Sequence, residues 1–311
     1  MAIRTSCGTA NIKFQFRRGT SSQWTASNPT LALGEPGFEL DTNGLKIGDG
    51  ITPWRFEGYA GNPAFVSVKD FGAVGDGLSK PLSNYFLTLP AARSYFPAAT
   101  SLDNELDWAA FSKAIQSNRT IFVPAGTYQF GANILFIQGS NIKIHGTGQT
   151  SLITTSVLPN SPVGGIIQLG NCTNVVFEDI GFSSTAVYGS LTVDNFYGLV
   201  WSQDRTLQQI LFQRCYFTAP TANTNGIKII NQSTQIAENI ECIDCVFQNL
   251  GRMGVEFQNH NDDTQLARYR GFKSERCLYK NIGLIANGMA ISLSGICLLY
   301  TSPSPRDRQK S

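Results

Sequence analysis

Apolar residues in the middle of the chain fall into four lines that nearly repeat one another. The lines begin at Asn174, Gln209, Asn239 and Gly271. One residue further on stand Val175, Ile210, Ile240 and Phe272. Six on stand Ile180, Cys215, Cys245 and Cys277, and eight on stand Phe182, Phe217, Phe247 and Tyr279. The third offset holds Phe177, Phe212 and Cys242, then breaks to Ser274. The Ile180 position recurs after 35, 30 and 32 residues, the period of a stacked repeat and not of one globular core.

Within each line apolar residues alternate, lose phase, and alternate again, which predicts two short strands with a corner between them. A third strand follows a glycine in Gly198-Leu199-Val200-Trp201, Gly226-Ile227-Lys228-Ile229 and Gly254-Val255-Glu256-Phe257, with an earlier copy at Gly165-Ile166-Ile167. Three strands per coil, stacked in register, give an all-β parallel solenoid with like residues about 4.8 Å apart. Charges fit that register. The fifth offset reads Asp179, Arg214, Asp244, Arg276, while Glu241 falls beside Lys273 and Lys228 beside Glu256. Opposite charges on neighbouring strands are mildly stabilising, so Asp179 and Asp244 read as members of a surface ladder.

Before the coils the pattern changes. Residues 12–16 alternate as a strand, Arg17-Arg18-Gly19-Thr20 turns it, and Trp24 to Asn28 reads as a polar stretch. Short strands joined by Gly and Pro turns follow to Trp54, giving a small β-rich module. Gly48-Asp49-Gly50 has no Lys-Ser/Thr after it and reads as a turn, not a phosphate loop. Gly61-Asn62-Pro63 marks a boundary, so the expected domains are 1–62 and 63–296. A helix around Asp107 carries Trp108, Phe111 and Ile115 on one face and is placed to plug the open end of the solenoid. Asp70 and Asp76 lie beside glycines and read as cap and turn residues. Tyr85, Phe86, Tyr95 and Phe96 are expected to pack an insertion down. The coils begin at Asn141-Ile142-Lys143-Ile144-His145.

Composition adds a few constraints. Charged residues are 15% of the chain, with 30 Gly and 20 Phe, which suits strands and turns. No apolar run reaches the length of a membrane span. The net charge of +2 comes from the end of the chain, where Arg306, Arg308 and Lys310 oppose Asp307. Basicity therefore points to no nucleic-acid partner. The string Cys297-Leu298-Leu299-Tyr300-Thr301-Ser302-Pro303 back-translates to transposase adapter DNA, so residues 297–311 are expected to be foreign and the solenoid cut short near Ile296. The Cys242-x-x-Cys245 pair faces inward without a second pair. Like Cys215 and Cys277, it reads as reduced core, made in a cytoplasm. No Asp/His cluster has metal-ligand spacing, and neither a metal nor a cofactor is expected.

The segment Arg17-Arg18-Gly19-Thr20, Trp24, Leu33-Gly34-Glu35-Pro36-Gly37 and Ile47-Gly48-Asp49-Gly50-Ile51-Thr52-Pro53-Trp54 resembles an N-terminal module of bacteriophage tail fibres and tailspikes, over about residues 11–57. Val68-Lys69-Asp70-Phe71-Gly72-Ala73-Val74-Gly75-Asp76-Gly77, the helix near Asp107 and Thr120-Ile121-Phe122-Val123-Pro124 resemble the entry of the pectate-lyase-like superfamily as found in phage tailspikes. The resemblance implies a right-handed parallel β-helix and attachment to a phage baseplate or tail through residues 1–62. It also implies a homotrimer that is made in the host cytoplasm, carried on the virion and active at the host surface. The implied activity is recognition and depolymerisation of a bacterial surface polysaccharide, either capsule or lipopolysaccharide O-antigen, by hydrolysis or lyase cleavage. A glycan-binding fibre without catalysis and a structural shaft remain alternatives.

In that superfamily the Gly-Ile-x-Ile strand and its following turn face the carbohydrate. Carried over by position, Ile167, Val200, Lys228 and Glu256 are expected to face outward, and the turns offer Asp204, Asn231 and the polar run from Asn259 to Asp263. Glycosidic hydrolysis needs two carboxyl groups flanking the bond. The candidates are Asp204, Glu256, Asp262 and Asp263, with Trp201, Lys228, Asn231, Asn259 and His260 as sugar-binding residues. Asp204 and His260 are counted to the same offset two rungs apart.

Overall fold

Each line bends where its sequence adopts a positive φ. Asn174, Gln209, Asn239 and Gly271 have φ of 56°, 56°, 55° and 65°, and five residues later Asp179, Arg214, Asp244 and Arg276 have 52°, 52°, 54° and 52°. A left-handed residue costs an ordinary side chain about 1–2 kcal/mol, least for Gly, Asn and Asp. The repeated cost buys a kink within the first of the two strands and the corner that follows it. The computed structural model describes residues 16–42, 44–57, 59–60, 65–157, 165–186, 198–221, 223–231, 234–258, 268–285, 288–294 and 299–301. The chain divides into two compact units, 1–61 and 62–311.

In the first unit Arg17–Gly19 pairs in parallel with Pro36–Glu39, which pairs antiparallel with Leu45–Ile47. The stretch read as polar is in fact a helix, Ser21–Ser27. Its start is set by a capping box: the Thr20 side chain takes the Gln23 N–H and Gln23 returns to the Thr20 N–H. The helix buries Trp24, whose ring stacks on Trp54 at 3.9 Å. Lys46 is buried beneath them, donating to the Trp54 carbonyl at 2.9 Å with its ammonium 4.4 Å from the Tyr59 ring. Asp49 accepts from the N–H groups of Ile51 and Thr52, confirming a turn. Of the expected strand at 12–16, all but Phe16 lies outside the described residues.

The second unit is a parallel β-helix with three faces. The first face stacks Thr120–Phe122 and the later part of Leu135–His145 beneath the later part of Ile167–Glu178. Leu207–Gln213, Ala237–Ile243, Phe272–Glu275 and Leu299–Thr301 continue it. The second face is six-stranded: Gly126–Gln129, Ser151–Thr155, Gly181–Ser184, Tyr216–Ala219, Val246–Leu250 and Leu278–Ile282. The third takes the start of Leu135–His145 and of Ile167–Glu178, then Gly198–Gln203, Asn225–Ile230, Val255–Gln258 and Ile291–Leu293.

The core columns follow the sequence repeat. Phe182, Phe217, Phe247 and Tyr279 stack at 5.2, 4.6 and 4.9 Å between ring centroids. The Cys215, Cys245 and Cys277 thiols each donate at 3.3 Å to a backbone carbonyl of the coil below, those of Phe177, Phe212 and Cys242. All five described cysteines are free thiols, and burial pushes that of Cys172 up to about 11. The break at Ser274 has a reason: its hydroxyl lies 3.0 Å from that of Tyr279, the one ring of the column that carries a polar group.

Helix Leu106–Ser117 closes the entry end, with Phe111 packed edge-on against Tyr128 and Phe130 of the first coil. Asp107 anchors it, its buried carboxylate accepting from the N–H groups of Val74 at 2.6 Å, Gly75 at 3.3 Å and Gln129 at 3.0 Å. Asp70 caps Ser67 and Asp76 accepts from Leu78, so both serve turns. In the insertion Phe86 packs on Tyr95 and Phe96. No described helix is long and apolar enough to cross a membrane.

Candidate functional site

The third face carries the described candidates, and its register differs from the count by glycines. Gly198 pairs with Asn225, not Gly226, so Val200 faces Ile227 and Trp201 faces Lys228. A side chain at Gly198 would run into the Lys228 backbone nitrogen at 2.9 Å, which explains the glycine. Ile167, Val200, Ile227 and Val255 therefore form one column. That column shares its side of the strand with Phe257, whose ring packs on Tyr269 and Phe272 in the core. Ile167 and Val200 thus face inward, a correction to the expectation. The alternate column is Phe136, Gln168, Trp201, Lys228, Glu256 and Ser292. The same one-residue correction places Asp204 opposite Asn231.

Lys228 and Glu256 meet as expected, with Nζ 2.8 Å from Oε2, but they are buried, at 0% and 4% exposure. Glu256 has two further partners that the sequence did not flag. Asn225 donates to Oε2 at 2.8 Å, and Arg252 approaches it at 3.5 Å. Two cations and an amide therefore converge on one buried carboxyl group.

Asp204 lies at the edge of the same face. It ends its strand at φ 49°, half-buried, with its N–H donated to the Ile230 carbonyl. On the next rung Asn231 is fully buried, and its N–H lies 2.9 Å from the Tyr269 hydroxyl. That hydroxyl donates to the carbonyls of Gln258 or Ile229 at 2.6 and 3.0 Å, and burial raises its pKa. Among the described residues, neither side-chain amide atom of Asn231 nor the indole nitrogen of the buried Trp201 has a hydrogen-bond partner. Asn259, His260, Asp262 and Asp263 lie outside the described residues.

Phe136 escaped the sequence reading. It stands 47% exposed in the outward column, its ring over Gly170, where a β-carbon would meet it at 2.7 Å. Its signal was an aromatic between Leu135 and Ile137, in the polar phase of the strand. Among the described residues no group of three His, Cys, Asp or Glu side chains is placed to hold a metal ion.

Residues 14–52 match the family model described as the major tropism determinant N-terminal domain, which bears out the resemblance of the first module over that span. No curated protein matches the chain. Among solved structures it is similar to the tailspike protein gp49 of Pseudomonas phage LKA1, with 18% identity over 68% of this chain and 56% of that one, at a TM-score of 0.34. It is similar to the tailspike gp61 of Pseudomonas phage phi297, with 17% identity over 68% and 51%, at 0.45. It is also similar to the catalytic unit of an α-1,3-glucanase from Streptomyces thermodiastaticus, with 14% identity over 75% and 43%, at 0.35. The chain spans about half the length of these tailspikes. None of these likenesses bears on the chemistry of a site.

Proposed function

We propose that this chain belongs to a phage tailspike that binds a bacterial surface polysaccharide on its third face and cleaves it with Asp204 as one of two carboxyl groups. The observation that carries the reading is the pairing, in one chain, of a segment matching a tropism-determinant module with a parallel β-helix. A rigid repeat scaffold with polar turns at one edge is where binding groups are commonly lodged. Phe136 offers an exposed ring for the apolar face of a sugar. Asp204 supplies a carboxyl group at a strand end. Its counterpart in this proposal is Asp262 or Asp263. Attachment to the phage tail through residues 1–62, trimer formation and action at the host surface belong to the same proposal.

The engagement of Glu256 by Lys228, Asn225 and Arg252 favours a second reading, in which the face binds glycan without cleaving it. Release of oligosaccharide ends from purified capsule or O-antigen decides between the two. Release supports the cleaving spike. Retention of the polymer without release supports the binder, and neither retention nor release refutes both.

A further inference from the structure

The first face holds a concavity. It has a volume of about 470 Å³ and is lined by Asn174, Gln209 and Asn239 with Val176, Leu211 and Glu241. The left-handed residues at the head of three successive lines, Asn174, Gln209 and Asn239, all line it, so it forms a trough along the solenoid axis. We propose that this trough binds a neutral polysaccharide segment running along the axis, at a site separate from the third face and independent of the reading above.

The argument rests on the amides. One coil earlier Asn174 donates to Asn141 across the rung at 2.8 Å, closing a ladder. Gln209, one carbon longer, stands on the next rung, and no hydrogen bond joins its side chain to Asn174 or to Asn239. Above Asn239 the ladder ends at Gly271, where a β-carbon would strike Asn239 Oδ1 at 2.5 Å. Exposed amides thus follow one another at about the rung spacing, near 4.8 Å. Each has a donor and an acceptor side by side, the complement of a vicinal diol. Val176 and Leu211 give an apolar wall for the C–H face of a ring. The one charged lining residue is Glu241, which disfavours an acidic polymer. The volume lies within the range of about 300–1,000 Å³ usual for ligand sites.

The test uses the full chain and three immobilised neutral probes, malto-, cello- and mannohexaose. At least one should be retained by the wild type. Gln209→Asn restores an asparagine to the kink, so it should raise the melting temperature by extending the ladder while weakening retention about three- to tenfold. Leu211→Asp should weaken it further without changing sedimentation. No retained hexaose, or unchanged retention in Gln209→Asn, would overturn the proposal. So would a Leu211→Asp variant that sediments as a smaller species, because the trough would then be an interface between copies.

Discussion

Arg214 grips Asp179 one rung below it with two parallel hydrogen bonds, Nε to Oδ1 at 2.8 Å and Nη2 to Oδ2 at 2.7 Å. Arg276 repeats the grip on Asp244 at 2.6 and 2.9 Å. Both arginines sit at φ 52°, a conformation that costs a long side chain free energy. The sign alternation is therefore a set of two-rung clamps at the corners that need them.

The clamp should show in the acid limb of stability. Arg214 holds the Asp179 carboxyl below its usual range, and Lys143 followed by Arg214 does the same for Glu178. A depressed carboxylate pKa gives stability that is complete above the unfolded value, about 4, and is lost as pH falls through the folded one. The pair is partly exposed, with side chains 43% and 31% accessible, so Arg214→Ala should cost about 1 kcal/mol or less at pH 7. Urea unfolding of the variant should also show a shallower loss below about pH 4. An unchanged acid limb would refute the clamp.

Phe217 lies between Phe182 and Phe247 in the stacked column and is fully buried. Phe217→Ala should cost about 3–5 kcal/mol in equilibrium unfolding, and Phe217→Leu clearly less. Equal costs would mean that the rings do not stack as described.

Glu256→Ala leaves Lys228 buried beside Arg252 with their shared anion gone. A loss of about 3–5 kcal/mol is expected. Glu256→Gln should be milder, because Asn225 and Lys228 keep an oxygen to donate to. If calorimetry finds Glu256→Ala as stable as wild type, the cluster is open to water and Glu256 returns as a candidate acid.

The first and second faces were legible because a fixed offset carries a fixed residue type: Phe182, Phe217, Phe247 and Tyr279 pair as counted. The third face was not, since its count began at glycines. Gly198 is required by the approach of the Lys228 backbone, whereas Gly226 clears the Phe247 ring, so the two do not share a register position. That single slip turned Val200 outward and put Asp204 one residue out of register with Asn231. Helix Ser21–Ser27 was hidden because its apolar contribution is Trp24 alone, and the Thr20 and Gln23 capping box went unread. The partners of Glu256 come from Asn225 and Arg252, residues that only a three-dimensional corner brings together.

The most direct test of the proposed function is oligosaccharide release by Asp204→Asn. The substitution removes a proton-exchanging group while nearly preserving shape and hydrogen bonding. Reducing or unsaturated ends released from purified capsule or O-antigen would be counted against wild type, with polymer retention measured alongside. The account predicts a fall of about 100- to 10,000-fold in release with retention preserved. Full release by Asp204→Asn would contradict it.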